Sequence, residues 1–65
     1  MRIRDVIAVL EQDGWIPVRN EETLRQWRRR GLRGRVTIAG RLDDELAAPL
    51  LQSIAKQAHL PEGLL

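Results

Sequence analysis

Apolar residues recur at helical spacing near the start of the chain. They fall at positions i, i+3, i+4 and i+7 and consist of Ile3, Val6, Ile7 and Leu10. Such a stripe covers one face of a helix, so the pattern predicts an amphipathic helix over residues 3–13. Gly14 follows directly, and glycine readily adopts the left-handed conformation that ends many helices.

A second stripe of the same spacing lies near the end of the chain, in Leu51, Ile54, Ala55 and Ala58. It predicts a closing helix that begins near Pro49, because proline suits the first helical position, where its missing N–H would have no partner. Leu60 and Pro61 end this helix. The acidic residues 43–45 precede its start, and we expect them to favour the partly positive end of its dipole.

Between the two helices, three segments have the residue types of β-strands. They are predicted over residues 15–19, 23–29 and 35–39, with polar or glycine-containing turns between them. Pro17 lacks the N–H that a strand donates to its neighbour, so we expect the first strand at an edge of the sheet.

Side chains alternate between the two sides of a strand, which divides the second strand into two groups. One side carries Thr23, Arg25 and Trp27, and the other carries Leu24, Gln26 and Arg28. Trp15 and Trp27 are large rings, and both are predicted to lie in the core of so small a chain. In the third strand, Val36 and Ile38 share one side.

The predicted order is helix, three antiparallel strands and helix. This is an α+β fold, and both helices are expected to pack on one face of the sheet. A chain of 65 residues forms one domain at most, so we expect a single domain over residues 1–65.

Composition restricts the chemistry. The chain has no cysteine, which excludes disulfide bonds and thiolate zinc sites, and no metal or cofactor is expected. No apolar run approaches the roughly 20 residues that span a bilayer. The N-terminus lacks the pattern of a signal peptide, so we expect a cytoplasmic protein without membrane contact.

The formal charge is only +2, but the positive charge is concentrated in one segment. Half of the arginines lie within residues 28–35, and they are Arg28, Arg29, Arg30, Arg33 and Arg35. A guanidinium group binds phosphate through two parallel hydrogen bonds, and phosphate contacts dominate nucleic-acid affinity. A solvated charged surface without a ligand is the other interpretation of the cluster.

The predicted order of elements is that of the double-stranded-RNA-binding domain, and three segments resemble the HicA/YcfA toxin family more closely. Residues 4–15, Arg-Asp-Val-Ile-Ala-Val-Leu-Glu-Gln-Asp-Gly-Trp, resemble the first helix of that family and the turn after it. Residues 34–38 resemble its third strand, and residues 52–60 resemble its closing helix. The resemblance runs over residues 2–60.

The resemblance implies a toxin of a toxin–antitoxin pair, which cleaves messenger RNA without a metal and is silenced by a HicB-type antitoxin. The second strand of that family begins with Gly-Ser-His, and its histidine is needed for cleavage. The matching residues here are Glu22, Thr23 and Leu24, so leucine replaces the histidine. A second family histidine corresponds to Arg41, and the glycine that ends the last helix corresponds to His59.

Cleavage of RNA without a metal needs a general base and a general acid, and histidine suits both roles because it titrates near neutral pH. Leu24 cannot transfer a proton, and the single histidine, His59, is predicted to cap the end of the last helix. Glu21 or Glu22 remains as a base, although a solvated carboxylate is poorly matched to neutral pH. We therefore expect impaired cleavage, and whether the chain is an enzyme stays open.

We expect the chain to bind RNA through the second strand, the turn after it and the start of the third strand, with Arg25, Gln26, Arg28, Arg29, Arg30, Arg33 and Arg35. Two alternatives remain. One is a protein-interaction module that binds a HicB-type antitoxin or a second copy through a surface made more apolar by Leu24, with residues 43–45 supplying complementary charge. The other is a ribonuclease that still cleaves RNA through a carboxylate.

Overall fold

The computed structural model describes residues 1–61 and 63–65. Its elements are α1 (Ile3–Gln12), β1 (Ile16–Asn20), β2 (Leu24–Arg28), β3 (Val36–Ala39) and α2 (Ala48–Gln57). The strands form one antiparallel sheet in the order β1-β2-β3, so β2 is central and β1 lies at an edge. The predicted α+β fold is therefore confirmed, as is the edge position of the strand that contains Pro17.

The predicted boundaries differ from the observed ones by about one residue, the usual error of such predictions. The helix α1 ends one residue earlier than predicted, β1 begins and ends one residue later, β2 is one residue shorter at each end, and β3 begins one residue later. Pro49 is the second residue of α2 rather than the first, since Ala47 is its N-cap. The missing N–H still falls in the first turn, where a helix offers no partner.

One face of the sheet packs against both helices, and the opposite face, called the open face below, is free of them. The core consists of Ile3, Val6, Leu10, Trp15, Trp27, Val36, Ile38, Ile54 and Ala58. Both tryptophans lie there as predicted, with Trp27 only 1% and Trp15 only 3% exposed. The indole N–H of Trp27 donates to Glu11 Oε2 at 3.2 Å. Within the described residues, the buried indole N–H of Trp15 has no partner.

The end of α1 explains why a glycine follows it. Gly14 N–H donates to Glu11 C=O at 3.1 Å, and Trp15 N–H donates to Leu10 C=O at 3.0 Å. This is the Schellman arrangement, which requires a left-handed residue directly after the helix cap. Gly14 adopts that conformation with a φ of 97°, so the predicted role of Gly14 in ending the first helix is confirmed.

The end of α2 has the same arrangement, but with histidine in the glycine position. His59 N–H donates to Lys56 C=O at 3.3 Å, and Leu60 N–H donates to Ala55 C=O at 2.9 Å. His59 is left-handed, with a φ of 53°. The predicted place of His59 at the end of the last helix is correct, and its backbone conformation is one that costs an ordinary residue free energy.

Residues 41–45, called the acid loop below, lie against the start of α1. Ile3 N–H donates to Asp44 C=O at 2.9 Å, and Arg4 N–H donates to Leu42 C=O at 3.0 Å. The loop thereby satisfies N–H groups that the first turn of a helix leaves without partners. The sequence associated these acids with the dipole of α2, and the contacts that the structure shows for them are with the start of α1.

Candidate nucleic-acid interface

The five clustered arginines occupy the end of β2, the turn after it and the residue before β3. This segment, residues 28–35, is called the arginine turn below. Gly31 and Gly34 have positive φ values of 85° and 79°, which glycine adopts readily as the chain reverses direction between the antiparallel strands β2 and β3. Leu32 N–H donates to Arg29 C=O at 3.2 Å inside the turn. The backbone therefore holds the arginines on one short, exposed segment.

The arginines of this turn differ in their partners. Arg29 forms an ion pair with Asp13 at the end of α1, and it is half-buried. Arg35 donates to the neutral side chain of Gln26 at 3.2 Å. Arg28, Arg30 and Arg33 are exposed, and no carboxylate of residues 1–61 and 63–65 pairs with them or with Arg35. Four positive charges of the turn are thus uncompensated within the described chain.

Gln26 lies on the open face at the centre of the sheet. Its Nε2 donates to Thr37 Oγ1 at 3.2 Å, and its Oε1 accepts the hydrogen bond from Arg35. These three side chains form a polar row across β2 and β3. Thr37 was not among the predicted site residues, although the alternation of β3 already placed it on the side opposite to Val36 and Ile38.

Arg25 is separated from the other predicted RNA-binding residues. It lies on the helix-packed side of β2, as the alternation with Trp27 implies, and only 9% of it is exposed. Its Nε donates to Asn20 Oδ1 at 2.9 Å and its Nη1 donates to Gly40 C=O at 3.3 Å. Arg25 therefore ties the end of β1 to the residue after β3, and it is not available to the surface that carries the arginine turn.

Leu24 stands on the open face, on the same side of β2 as Gln26. It is half-buried, it pairs across the sheet with Ala39, and it is not part of the hydrophobic core. A side chain at this position is accessible from the outside of the sheet. Leu24 is thus a partly exposed residue of the open face rather than a core residue.

The ionisable side chains near the start of β2 are held in ion pairs. Glu21 accepts a hydrogen bond from Arg19, and this partner lowers the pKa of the Glu21 carboxyl below its usual value. Glu22 pairs with Arg41 at 3.2 Å. His59 lines a surface pocket at the end of α2 that contains no residue of β2 or of the arginine turn. The imidazole and Leu24 therefore belong to different parts of the surface.

Metal sites and membrane spans are both absent from the described residues, 1–61 and 63–65. No group of histidine, aspartate and glutamate side chains in this part of the chain is arranged to hold a metal ion. No helix in the same residues has the length and hydrophobicity that a membrane span needs.

The fold and the site agree with a match to a known family. The model of a family described as "HicA toxin of bacterial toxin-antitoxin" matches residues 3–60. The chain belongs to the HicA toxin family. A comparison with curated proteins found no significant match.

Membership of the HicA family confirms the resemblance found in the sequence, which runs over nearly the same residues. The family is one of toxin–antitoxin systems, so an antitoxin partner is a general property of such chains. In this HicA-family chain Leu24 begins β2, and the arginine turn starts at the other end of the same strand.

Proposed function

We propose that this chain is an RNA-binding HicA-type protein, formed by a single domain over residues 1–65, whose ability to cleave RNA is impaired. The observation that carries the proposal is the arginine turn, where four guanidinium groups have no carboxylate partner in the described chain. The proposed RNA-binding residues are Gln26, Arg28, Arg29, Arg30, Arg33 and Arg35. An RNA target implies action in the cytoplasm.

Phosphate contacts account for the proposed binding better than base stacking does. The chain has two tryptophans and no other large aromatic residue, and both tryptophans are almost fully buried. Stacking platforms for unpaired bases need exposed rings. The uncompensated guanidinium groups can instead exchange solvent counterions for phosphate oxygens, which favours binding at low salt.

We infer impaired cleavage because no histidine lies near Leu24 in the part of the chain that the structure describes. Leu24 has no titratable group, and the pKa of Glu21 is lowered by its hydrogen bond to Arg19, which weakens it further as a base at neutral pH. Glu22 is engaged by Arg41. A surviving carboxylate-dependent ribonuclease is therefore the less favoured alternative.

Fluorescence anisotropy with a labelled RNA tests the binding proposal. The test variant replaces four arginines by glutamine, at Arg28, Arg30, Arg33 and Arg35. We expect its affinity at low salt to fall by about 100-fold or more, because each phosphate interaction contributes strongly there. The slope of log K against log salt should become shallower by roughly one for each arginine that no longer binds a phosphate.

A matched control removes the same formal charge elsewhere. It replaces Arg2, Arg4, Arg19 and Arg41, all of which pair with carboxylates. We expect this control to keep most of the RNA affinity. Equal losses of affinity in the two variants would show that net charge, rather than the arginine turn, causes binding. Absence of RNA affinity in the original chain at low salt would contradict the proposal.

A second experiment tests the loss of cleavage. The triple variant Glu22→Gly, Thr23→Ser and Leu24→His rebuilds the family motif on β2. We expect growth arrest and RNA decay when it is expressed, and none when the original chain is expressed in the same host. Addition of EDTA should not stop the cleavage by the variant. An original chain that cleaves RNA as fast as the triple variant would refute the proposed impairment.

Protein binding is the second candidate function, and the apolar part of the open face favours it. Ile16 is 52% exposed and lies opposite Arg28, and Leu24 stands further along the same face. Apolar side chains surrounded by charge are typical of interfaces. The proposed partners are a HicB-type antitoxin or a second copy. Co-purification with a HicB-type protein that is lost in Leu24→Asp would support it, and light scattering would detect self-association.

A further inference from the structure

We propose that the outer edge of β3 binds an extended, acidic segment of a partner protein by antiparallel β-strand addition. Each open sheet edge presents backbone N–H and C=O groups that a further strand can pair with. The two edges of this sheet differ, and only one of them suits such a strand. This proposal does not depend on RNA binding.

The β1 edge is protected against pairing. Pro17 is paired with Trp27 and has no N–H to donate outward, and the register between β1 and β2 shifts by a bulge between Pro17 and Arg19. Prolines, bulges and charged side chains are the usual devices that block an edge strand. All residues of β1 are exposed, yet the strand is a poor template.

The β3 edge has none of these devices. Its residues Val36–Ala39 contain no proline, no charge and no bulge against β2. Gly40 N–H donates to Thr23 C=O at 2.9 Å, next to the pair Leu24 and Ala39. Because antiparallel residues alternate between bonded and non-bonded pairs, Val36 and Ile38 direct their backbone groups toward β2.

The same alternation directs the backbone groups of Thr37 and Ala39 away from β2. In the described part of the chain, no backbone hydrogen bond outside the sheet involves these two residues. Both are exposed, and α2 packs on the other face of the strand. The outer edge of β3 thus offers two donors and two acceptors in the spacing of an antiparallel partner.

Side chains of the open face define the chemistry of that partner. Arg35, the residue directly before β3, is followed on this face by Thr37 and Ala39 within the strand. A carboxylate opposite Arg35 would form a favourable cross-strand pair. Ala39 is small and pairs with Leu24, so a large aliphatic residue opposite Ala39 would also cover Leu24. The partner segment therefore has, at alternate positions from its N-terminal end, an aliphatic residue, a β-branched residue and an acid.

A second copy of this chain fits the edge poorly. Symmetric pairing of two β3 strands with Thr37 opposite Thr37 would bring Arg33 of one chain opposite Arg41 of the other. Like charges opposite each other destabilise a strand pair. The charge at both ends of β3 therefore selects an acidic segment rather than a copy of the same strand.

Amide NMR spectra of the full chain, titrated with two short peptides, test this inference. Both peptides carry Leu, Thr and a charged residue at alternate positions, with acids in one and lysines in the other. We expect the acidic peptide to shift the amide signals of Thr37 and Ala39 and to slow their hydrogen exchange. It should bind about fivefold more tightly than the lysine peptide.

Two variants separate backbone pairing from charge. Thr37→Pro removes one outward N–H without removing a backbone bond to β2, and should abolish binding. Thr37→Val loses the same side-chain hydrogen bond from Gln26 but keeps the N–H, and should retain binding. If Thr37→Pro fails to fold, Arg35→Glu still tests the proposal. This variant should bind the lysine peptide more tightly than the acidic peptide. Absence of binding, equal binding of both peptides, shifts confined to β1 or Gln26, or dimerisation of the free chain through β3 would each overturn the proposal.

Discussion

The acid loop and the arginine turn are both short runs of like charge, but the fold uses them differently. In the acid loop, the Asp43 carboxylate pairs with Arg4, and Glu45 pairs with the N-terminal amine at 3.0 Å. The Asp44 carboxylate accepts the backbone N–H of Arg41 at 2.9 Å. In the arginine turn, only Arg29 has a carboxylate partner within the described residues.

The difference comes from what the backbone brings next to each run. The acid loop is held against the start of α1 by Ile3 and Arg4 N–H groups, so its charges meet a helix N-terminus and basic side chains. A negative charge is favourable there. The arginine turn projects from the end of the sheet and meets few acids. Like-charge runs therefore contribute to folding in one place and remain available for a ligand in the other.

The largest expected effect concerns the glycine that precedes the acid loop. Gly40 has a φ of 122°, and a Cβ there would lie 2.8 Å from Ile3 Cδ1 and 3.1 Å from Asp44 Oδ2. Gly40→Ala thus adds backbone strain and a clash with a buried side chain. We expect it to lower the free energy of unfolding by about 3 kcal/mol in urea denaturation.

Gly34 in the arginine turn is the matched control. Its φ of 79° is also left-handed, but a Cβ would meet no atom within 4 Å. Gly34→Ala should therefore cost only the backbone strain, about 1 kcal/mol. Equal losses of stability in the two variants would show that the acid loop is not packed more tightly than the arginine turn.

The second effect compares the charges themselves. We expect the combined variant Asp43→Asn, Asp44→Ala and Glu45→Gln to lower the free energy of unfolding by about 1 to 2 kcal/mol, because it removes a backbone acceptor and three surface ion pairs. The four-glutamine variant of the arginine turn should change that free energy by less than about 0.5 kcal/mol per residue, since those side chains lack acidic partners.

Thermal or urea unfolding of both variants, combined with RNA anisotropy, checks the contrast. The acid-loop variant should keep its RNA affinity while losing stability, and the arginine-turn variant should show the opposite. If the arginine-turn variant loses as much stability as the acid-loop variant, the two runs of charge do not differ in their contribution to folding, and the proposed distinction between them is wrong.

Local periodicity explains how much of the fold was predictable. The stripes of α1 and α2 and the alternation of β3 are set by neighbours in sequence, so the elements, their order and the buried tryptophans were predicted correctly. The errors concern long-range contacts. The sequence associated the acid loop with α2, the helix that follows it directly. The loop instead contacts α1, which lies at the start of the chain.

The candidate site was predictable only in part, for the same reason. Position 24 was placed correctly on the open side of β2 by the period of two. Arg25 was included in the RNA-binding set because of its charge, although its own alternation with Trp27 places it inward. Which arginines lack acidic partners was beyond prediction, because the pairing of Arg29 with Asp13 depends on how α1 packs beside β2.

The smallest expected effect concerns His59 and decides whether this residue contributes to folding or to RNA binding. Its left-handed backbone closes α2 as Gly14 closes α1, which suggests a folding role like that of the acid loop. His59→Gly removes the strain of a side chain in that conformation, and we expect it to raise the free energy of unfolding by about 0.5 to 1 kcal/mol. RNA affinity should stay the same. His59→Ala, which keeps the strain, is the control and should not stabilise the chain. A loss of RNA affinity in both variants would instead assign the imidazole to the binding surface and join the end of α2 to the arginine turn.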